Sequence, residues 1–336
     1  MIGHTGNHVT TQGYVLSRLF EAAGHPTLAV SRSLNRYLRL ADIAATIVRR
    51  RGDFDIALIE VYSGAAFVVA DVASAISRRM GYTTILVLHG GNLPVYFRRF
   101  PTWTRRVLGR AHALVAPSPY LANAGAAHGF KVSVIPNVID LDAYLYRRRS
   151  EARPRLIWMR SFHPLYNPEM ALDVAAGLRA HHPQTTLVMA GQDKGLQEGL
   201  QRRAHALGLG ETVRFPGFLD QTAKAREFDA ADIFLNTSRI DNMPVAIVEA
   251  GAMGLPVIST AVGGIADLLQ DGLDGLLVPD GDVLAMVGAA RRLIAEPDLV
   301  DRLSVNGRAL SERSAWSAVR AQWEDLFARL RTIQRT

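Results

Sequence analysis

The amino-acid sequence predicts an α/β protein built as two halves, each a parallel sheet covered by helices. Three observations carry this. Short apolar, β-branched runs alternate with longer amphipathic stretches along the 336 residues. The short runs are apolar almost without interruption, as strands buried on both faces must be. The pattern stops over residues 138–154, "VIDLDAYLYRRRSEARP", and then starts again.

The elements follow in order. The first half has strand candidates at "DIALIEV" (55–61), "TTILVLH" (83–89), "ALVAPS" (113–118) and "VSVIPN" (132–137). The second half has "RLIWMR" (155–160), "TTLVMAG" (185–191), "VRFPGF" (213–218), "DIFLNTS" (232–238), "PVIST" (256–260) and "GLLVP" (275–279). Amphipathic helices are expected at 169–182, 194–207 and 282–295. Residues 138–154 have no apolar period and read as a linker. The domains are thus expected over 1–145 and 150–315. A last helix at about 316–336 carries Trp316, Trp323, Leu326 and Leu330 at helical spacing and could cover the first domain. The chain opens on a glycine-bearing loop that runs directly into a helix ending near Gly24. A strand should precede such a loop, and only Met1 and Ile2 are available for it. Either that strand is very short or the sequence begins within a longer one.

Composition narrows the function classes. No apolar run approaches the roughly 18 residues of a membrane span, and no secretory leader opens the chain. The absence of cysteine excludes disulfides, thiolate metal sites and a cysteine nucleophile, and fits a reducing cytoplasm. The net charge of +7 is uneven. Residues 1–150 hold 18 Lys+Arg against 8 Asp+Glu, a net of +10, and the remainder has a net of −3. A basic first half suits an anionic partner. It equally suits a chain whose basic residues are nearly all arginine, with lysine only at 131, 194 and 224.

The stretch "DNMPVAIVEAGAMGLPVISTAVGG" (241–264) concentrates the chemistry. Pro244 suits the first turn of a helix running to about residue 253 and stopping at Gly254. Asp241 then lies in the loop before it and Glu249 within it. Gly263 and Gly264 are expected to leave backbone N–H groups free at a second helix start. Both helix starts open toward the C-terminal edge of a parallel sheet, where ligands of open α/β folds bind. Helix N-termini favour phosphate, whereas Asp241 and Glu249 would repel it and accept hydrogen bonds from hydroxyls instead. Hydroxyls on one side and phosphate on the other describe a nucleotide sugar. As plain structure, Asp241 would be a cap and Glu249 a surface residue.

The block resembles the retaining nucleotide-sugar glycosyltransferases of the GT-B fold, in particular glycosyltransferase family 4. The signature is an acidic residue, seven intervening residues, then Glu-Ala, with a Pro midway and Gly-x-Pro-Val downstream. Asp241, Pro244, Glu249-Ala250, Gly254, Pro256 and Val257 supply it. Further matches run in the family's order through "AAGH" (22–25), "LHGG" (88–91), "VAPSPY" (115–120), "IPNVID" (135–140), "VRFPGFLD" (213–220), "AADIFLNTS" (230–238) and "DGLDGLLVPDGD" (271–282).

The resemblance implies two Rossmann-like domains with parallel sheets facing across a cleft. It implies that Glu249 hydrogen-bonds the nucleotide ribose, that Asp241 sits by the donor sugar, that Arg160 holds the diphosphate and that His89 reaches the donor sugar. Gly217 and Phe218 would lie against the base. Asn242, Met243, Pro244, Gly263, Gly264 and Gly6 would complete the donor site. No cofactor is implied beyond the nucleotide sugar as co-substrate, UDP- or GDP-linked, and no metal. Two departures stand out. The first acidic position is usually Glu, and many relatives carry Lys about five residues after the arginine, where this chain has Leu165 and Tyr166. His163 is the nearest substitute.

The expected function is transfer of a sugar to a glycan or lipid-linked acceptor in polysaccharide or glycolipid biosynthesis. The enzyme would be cytoplasmic, peripheral on the inner membrane face, with no nucleic-acid partner. "LPVYFRRFPTWTRRVLGR" (93–110), which mixes Tyr96, Phe97, Phe100 and Trp103 with arginines, reads either as an interfacial patch or as a surface helix with its apolar side in the core. A nucleotide-sugar epimerase and a non-catalytic partner subunit are the competing readings. "DFD" (53–55) could bind a metal, but it lies at the sheet end opposite the expected cleft.

Overall fold

The computed structural model describes residues 11–31, 33 and 35–335. The proposed first strand at Met1 and Ile2, and Gly6, lie outside them. The chain divides into two compact units, one holding the described residues of Met1–Val138 and Trp316–Thr336, the other Ile139–Ala315.

The first unit has a parallel sheet of β1 (Ile56–Val61), β2 (Thr83–Leu88), β3 (Ala113–Ala116) and β4 (Val132–Val134), in that order. The two-residue period of a strand sorts its side chains onto two cores. Ile85 and Val87 of β2 meet Leu16 and Phe20 of the helix Gln12–Ala22 and Val319, Trp323 and Leu326 of the helix Trp316–Arg335. Leu86 and Leu88 meet Phe67, Phe97 and Leu121 on the opposite face.

The second unit has six parallel strands, β5 (Arg155–Met159), β6 (Thr186–Ala190), β7 (Val213–Gly217), β8 (Ile233–Asn236), β9 (Val257–Thr260) and β10 (Leu276–Val278). Their order is β10-β9-β8-β5-β6-β7. The chain builds outward from β5 to β7, returns to the other side at β8, and builds outward again. The reversal falls between β5 and β8, and the C-terminal edge at such a switch point is where open α/β sheets bind ligands. Leu156 and Trp158 face one core with Met170, Val174 and Met286. Ile157 and Met159 face the other with Phe228, Phe234 and Ile247.

One sequence expectation changes and one pair of alternatives is narrowed. Residues 138–154 are no free linker, because from Ile139 onward they are built into the second unit. Ile139, Tyr144 and Arg149 are each 3% exposed. Arg149 donates to the carbonyls of Phe228 and Ala231 and pairs with Asp232 at 3.4 Å. Burial pulls its pKa down to about 10. This segment is fixed by guanidinium-to-carbonyl hydrogen bonds, which leave no apolar period to read. The stretch 93–110 forms two helices, Leu93–Arg99 and Pro101–Leu108, with Phe97 fully buried and Tyr96 and Trp103 half-buried. Trp103 Nε1 donates to Asp71 at 2.7 Å, and Arg106 and Arg110 both pair with that carboxylate at 2.5 Å. Most of the expected interfacial patch is therefore core and ion pair, leaving Val95 and Phe100 as its exposed large apolar residues.

Candidate functional site

The switch point carries charge. Arg160 is the residue immediately after β5, and its backbone N–H continues the ladder onto the Ala190 carbonyl at 3.1 Å. Gly191 lies directly over the Arg160 carbonyl. A Cβ there would sit 1.9 Å from that oxygen, at φ +152, so only glycine fits. The Gly191 N–H in turn donates to Gly217 O at 2.9 Å, so the ends of β5, β6 and β7 form one continuous edge.

The Arg160 side chain is only 16% exposed and is held from two sides. Its Nη2 donates to Asp241 Oδ2 at 2.5 Å, and its guanidinium lies 4.1 Å from the centre of the Tyr166 ring. Burial alone would lower its pKa, but Asp241 and Tyr166 outweigh that and raise it. Nε is buried with no hydrogen-bond partner. Tyr166 occupies the stretch where the family's second lysine was expected. It is fixed by Thr237 Oγ1, which lies 2.8 Å from both the Tyr166 and Asn167 carbonyls and accepts from Trp158 Nε1 at 2.9 Å. His163, the suggested substitute, is exposed and accepts from Leu165 N–H at 3.2 Å.

Asp241 does not cap the following helix. Oδ1 accepts from Asn242 N–H at 2.8 Å and Oδ2 faces Arg160, with Ser238 Oγ at 3.4 Å. The loop is locked from behind by the glycine pair. Gly264 N–H donates to Asp241 O at 3.1 Å, and a Cβ on Gly263, at φ +55, would lie 2.1 Å from the same oxygen. This corrects the expectation that both glycine N–H groups stand free, because a backbone that must approach this closely spends its donor on the neighbouring loop. The second helix is also only the short Ile265–Leu268. Asn242, Met243 and Pro244 are buried. Pro244 stands at the N-cap of the helix Val245–Ala252, so the helix begins one position later than expected, and no side chain caps it.

Glu249 lies in this helix and is 9% exposed, not a surface residue. Its Oε1 accepts from the Tyr144 hydroxyl at 2.6 Å and pairs with Lys224 Nζ at 2.5 Å. Burial and the Glu249 charge push the Tyr144 hydroxyl far up, so it stays protonated and donates. Tyr144 comes from the supposed linker and Lys224 from the helix Gln221–Ala230, capped by Asp220. Neither was found in the sequence. One signal existed: Lys224 is one of three lysines in a chain that otherwise uses arginine.

Gly217 ends β7 at φ +77, and Phe218 beside it is 36% exposed. The structure thus brings Arg160, Asp241, Gly263 and Gly264 together, with Glu249 on the adjoining helix. Gly6 is outside the described residues. His89 belongs to the other unit, just after β2. It is 7% exposed and stacked on Tyr62 with ring centres 5.4 Å apart, and burial lowers its pKa. No cluster of three or more His, Asp or Glu suited to a metal occurs among the described residues.

An all-parallel sheet whose strand order reverses between β5 and β8 defines a doubly wound α/β protein. Its family follows from comparison: residues 147–310 match the family described as glycosyl transferases group 1, and residues 9–143 match glycosyltransferase family 4. The chain belongs to this glycosyltransferase family. It is 29% identical over 257 residues to D-inositol 3-phosphate glycosyltransferase 2 of Catenulispora acidiphila, covering 68% of this chain and 60% of that protein. It is 25% identical over 312 residues to the D-inositol 3-phosphate glycosyltransferase of Frankia alni, covering 83% and 76%. Among solved structures, Anabaena HepE in complex with UDP and glucose matches with TM-score 0.73 at 22% identity, covering 94% of this chain and 89% of that one. Sucrose-phosphate synthase of Thermosynechococcus elongatus matches with TM-score 0.75 at 18% identity, covering 96% and 93%. The fold is GT-B.

Proposed function

We propose that this chain transfers a glycosyl group from a nucleotide sugar to a hydroxyl acceptor, with retention of anomeric configuration and without a metal. The observation that carries the reading is Arg160 at the switch point, pinned by Asp241 and Tyr166 yet keeping a buried Nε–H without a partner. A diphosphate oxygen would supply that partner. The uncapped N-terminus of the helix Val245–Ala252 would add fixed positive potential. Both act on the charge that develops on the leaving nucleoside diphosphate. Asp241 would accept from a donor-sugar hydroxyl while keeping Arg160 in place. Glu249 would accept from the ribose hydroxyls, with Lys224 and Tyr144 holding it ready.

The chemical step would be a front-face displacement. The acceptor oxygen forms the new bond to the anomeric carbon as the bond to the diphosphate oxygen breaks. The acceptor's proton passes to the departing diphosphate. The complexes of HepE with UDP and UDP-glucose make UDP-sugars the first donors to test. The curated relatives named for D-inositol 3-phosphate, and the basic first half, direct the acceptor search to phosphorylated polyols and anionic lipid-linked glycans at the cytoplasmic membrane face.

Thermal-shift screening against UDP-, GDP- and ADP-sugars tests the donor, because a ligand present at 100 times its Kd adds about 2.7 kcal/mol of stability. One nucleotide class should raise Tm, and the anomeric configuration of the product, read by NMR, should match that of the donor. No shift with any nucleotide sugar, or an inverted product, would overturn the reading.

A further inference from the structure

Along β1, Ile56, Leu58 and Glu60 share one face by the two-residue period of a strand. Ile56 and Leu58 pack into the core under the helix Gln12–Ala22. Glu60 extends that row with a carboxylate whose side chain is only 7% exposed. Its Oε1 accepts from Gly13 N–H at 2.7 Å, at the N-terminus of the helix. That helix already has a cap, since Thr11 Oγ1 accepts from Tyr14 N–H. A neutral acceptor would satisfy Gly13 equally well, and a buried charge costs several kcal/mol more than a buried amide. The helix N-terminus favours that charge, and a second group faces it as well.

That group is His89. Its Nε2 lies 3.5 Å from Glu60 Oε1 and is buried without a hydrogen bond. Glu60 Oε1 is the acceptor that a proton on Nε2 would face. The ring is otherwise confined by its stack on Tyr62 and by the backbone bond from His89 N–H to Val61 O at 2.8 Å. Which nitrogen of an imidazole carries the proton is set by the hydrogen bond that its other nitrogen makes. We infer that Glu60 is a positioning residue for His89: it holds the ring as the Nε2–H tautomer and leaves Nδ1 as an acceptor. The effect expected on turnover rests on the glycosyl-transfer reading, but the tautomer does not. Among the described residues, Tyr62 and Glu60 are the titratable groups against the ring. Burial pushes its pKa down and Glu60 opposes that, so the ring is neutral at pH 7.

Ring-nitrogen NMR on the full chain labelled with ¹⁵N-histidine tests this without any donor, with the His89 signals assigned by their loss in His89→Asn. The wild type should show a protonated Nε2 and a bare Nδ1. Glu60→Leu should lose the single tautomer and lower kcat about tenfold to a hundredfold with little change in KM, as loss of alignment does. Glu60→Gln keeps an acceptor for Gly13 and for the ring. It should restore the tautomer but lower the His89 pKa relative to wild type. A wild-type ring protonated on Nδ1, or an unchanged tautomer in Glu60→Leu, overturns the inference. If Glu60→Leu does not fold, an unchanged His89 pKa in Glu60→Gln overturns it just as well. Failure of every nucleotide sugar to react would sink the proposed function and leave the ring spectra to decide Glu60.

Discussion

Arg160 and Asp241 hold each other in a place where neither could stand alone. Removing one partner of a buried pair leaves the other charge desolvated and uncompensated, at about 3–5 kcal/mol. Arg160→Ala should therefore cost about 3 kcal/mol by urea unfolding as well as turnover, and Arg160→Ala combined with Asp241→Ala should recover part of it. Additive losses in that double-mutant cycle would show that the pair is not coupled. Glu249→Ala should weaken nucleotide binding about tenfold, or 1.4 kcal/mol, in calorimetry, and unchanged affinity would remove it from the site. His89 supplies a pH test. Its folded pKa lies below the ordinary value of about 6.5. The stability it contributes is complete above pH 6.5 and is lost as the pH falls through the folded pKa, because the unfolded chain binds the proton first. His89→Gln should flatten that part of the stability–pH curve. A curve of the same slope in both proteins would place the acid sensitivity elsewhere.

At the scale of elements, glycines decide how closely the site is built. A Cβ on Gly251 would lie 2.6 Å from the Gly307 carbonyl, so the helix Val245–Ala252 packs on the helix Pro297–Glu312 with no room between them. Gly251→Ala should cost about 1–3 kcal/mol, the usual penalty for overpacking, in denaturant unfolding. Gly263→Ala should act differently. It strains a left-handed residue and pushes on Asp241 O, so nucleotide affinity should fall by more than the loss of global stability accounts for. Equal changes in the two quantities would show that Gly263 only supports the fold.

At the scale of the whole chain, the last helix closes the core of the unit that the sequence begins. Trp323 is 1% exposed in a cluster with Phe20, Ile85 and Val115, and Trp323→Ala should cost about 3–5 kcal/mol. Hydrogen exchange should accelerate in β1 to β4 and the helix Gln12–Ala22, while Leu156–Met159 in the second unit keeps its protection. Acceleration spread evenly over both units would mean that they unfold as one.

All ten strands among the described residues were legible, since a strand such as Thr83–Leu88 that is buried on both faces must be written in apolar residues. So was the placement of Glu249 as a lone acid in an apolar helix. Lys224, Tyr144 and Glu60 were not, because each is an ordinary residue until folding sets it 2.5 to 3.5 Å from its partner. The buried role of Arg149 was hidden for the same reason.

The sequence by itself determined the alternation of elements, the two halves and the family, because burial and backbone geometry impose periods and glycines that local order records. Only the tertiary structure decided which charges meet at the switch point and where the second unit begins. Ion pairs and hydrogen bonds between residues as far apart as Arg160 and Asp241 leave no periodic mark on the chain.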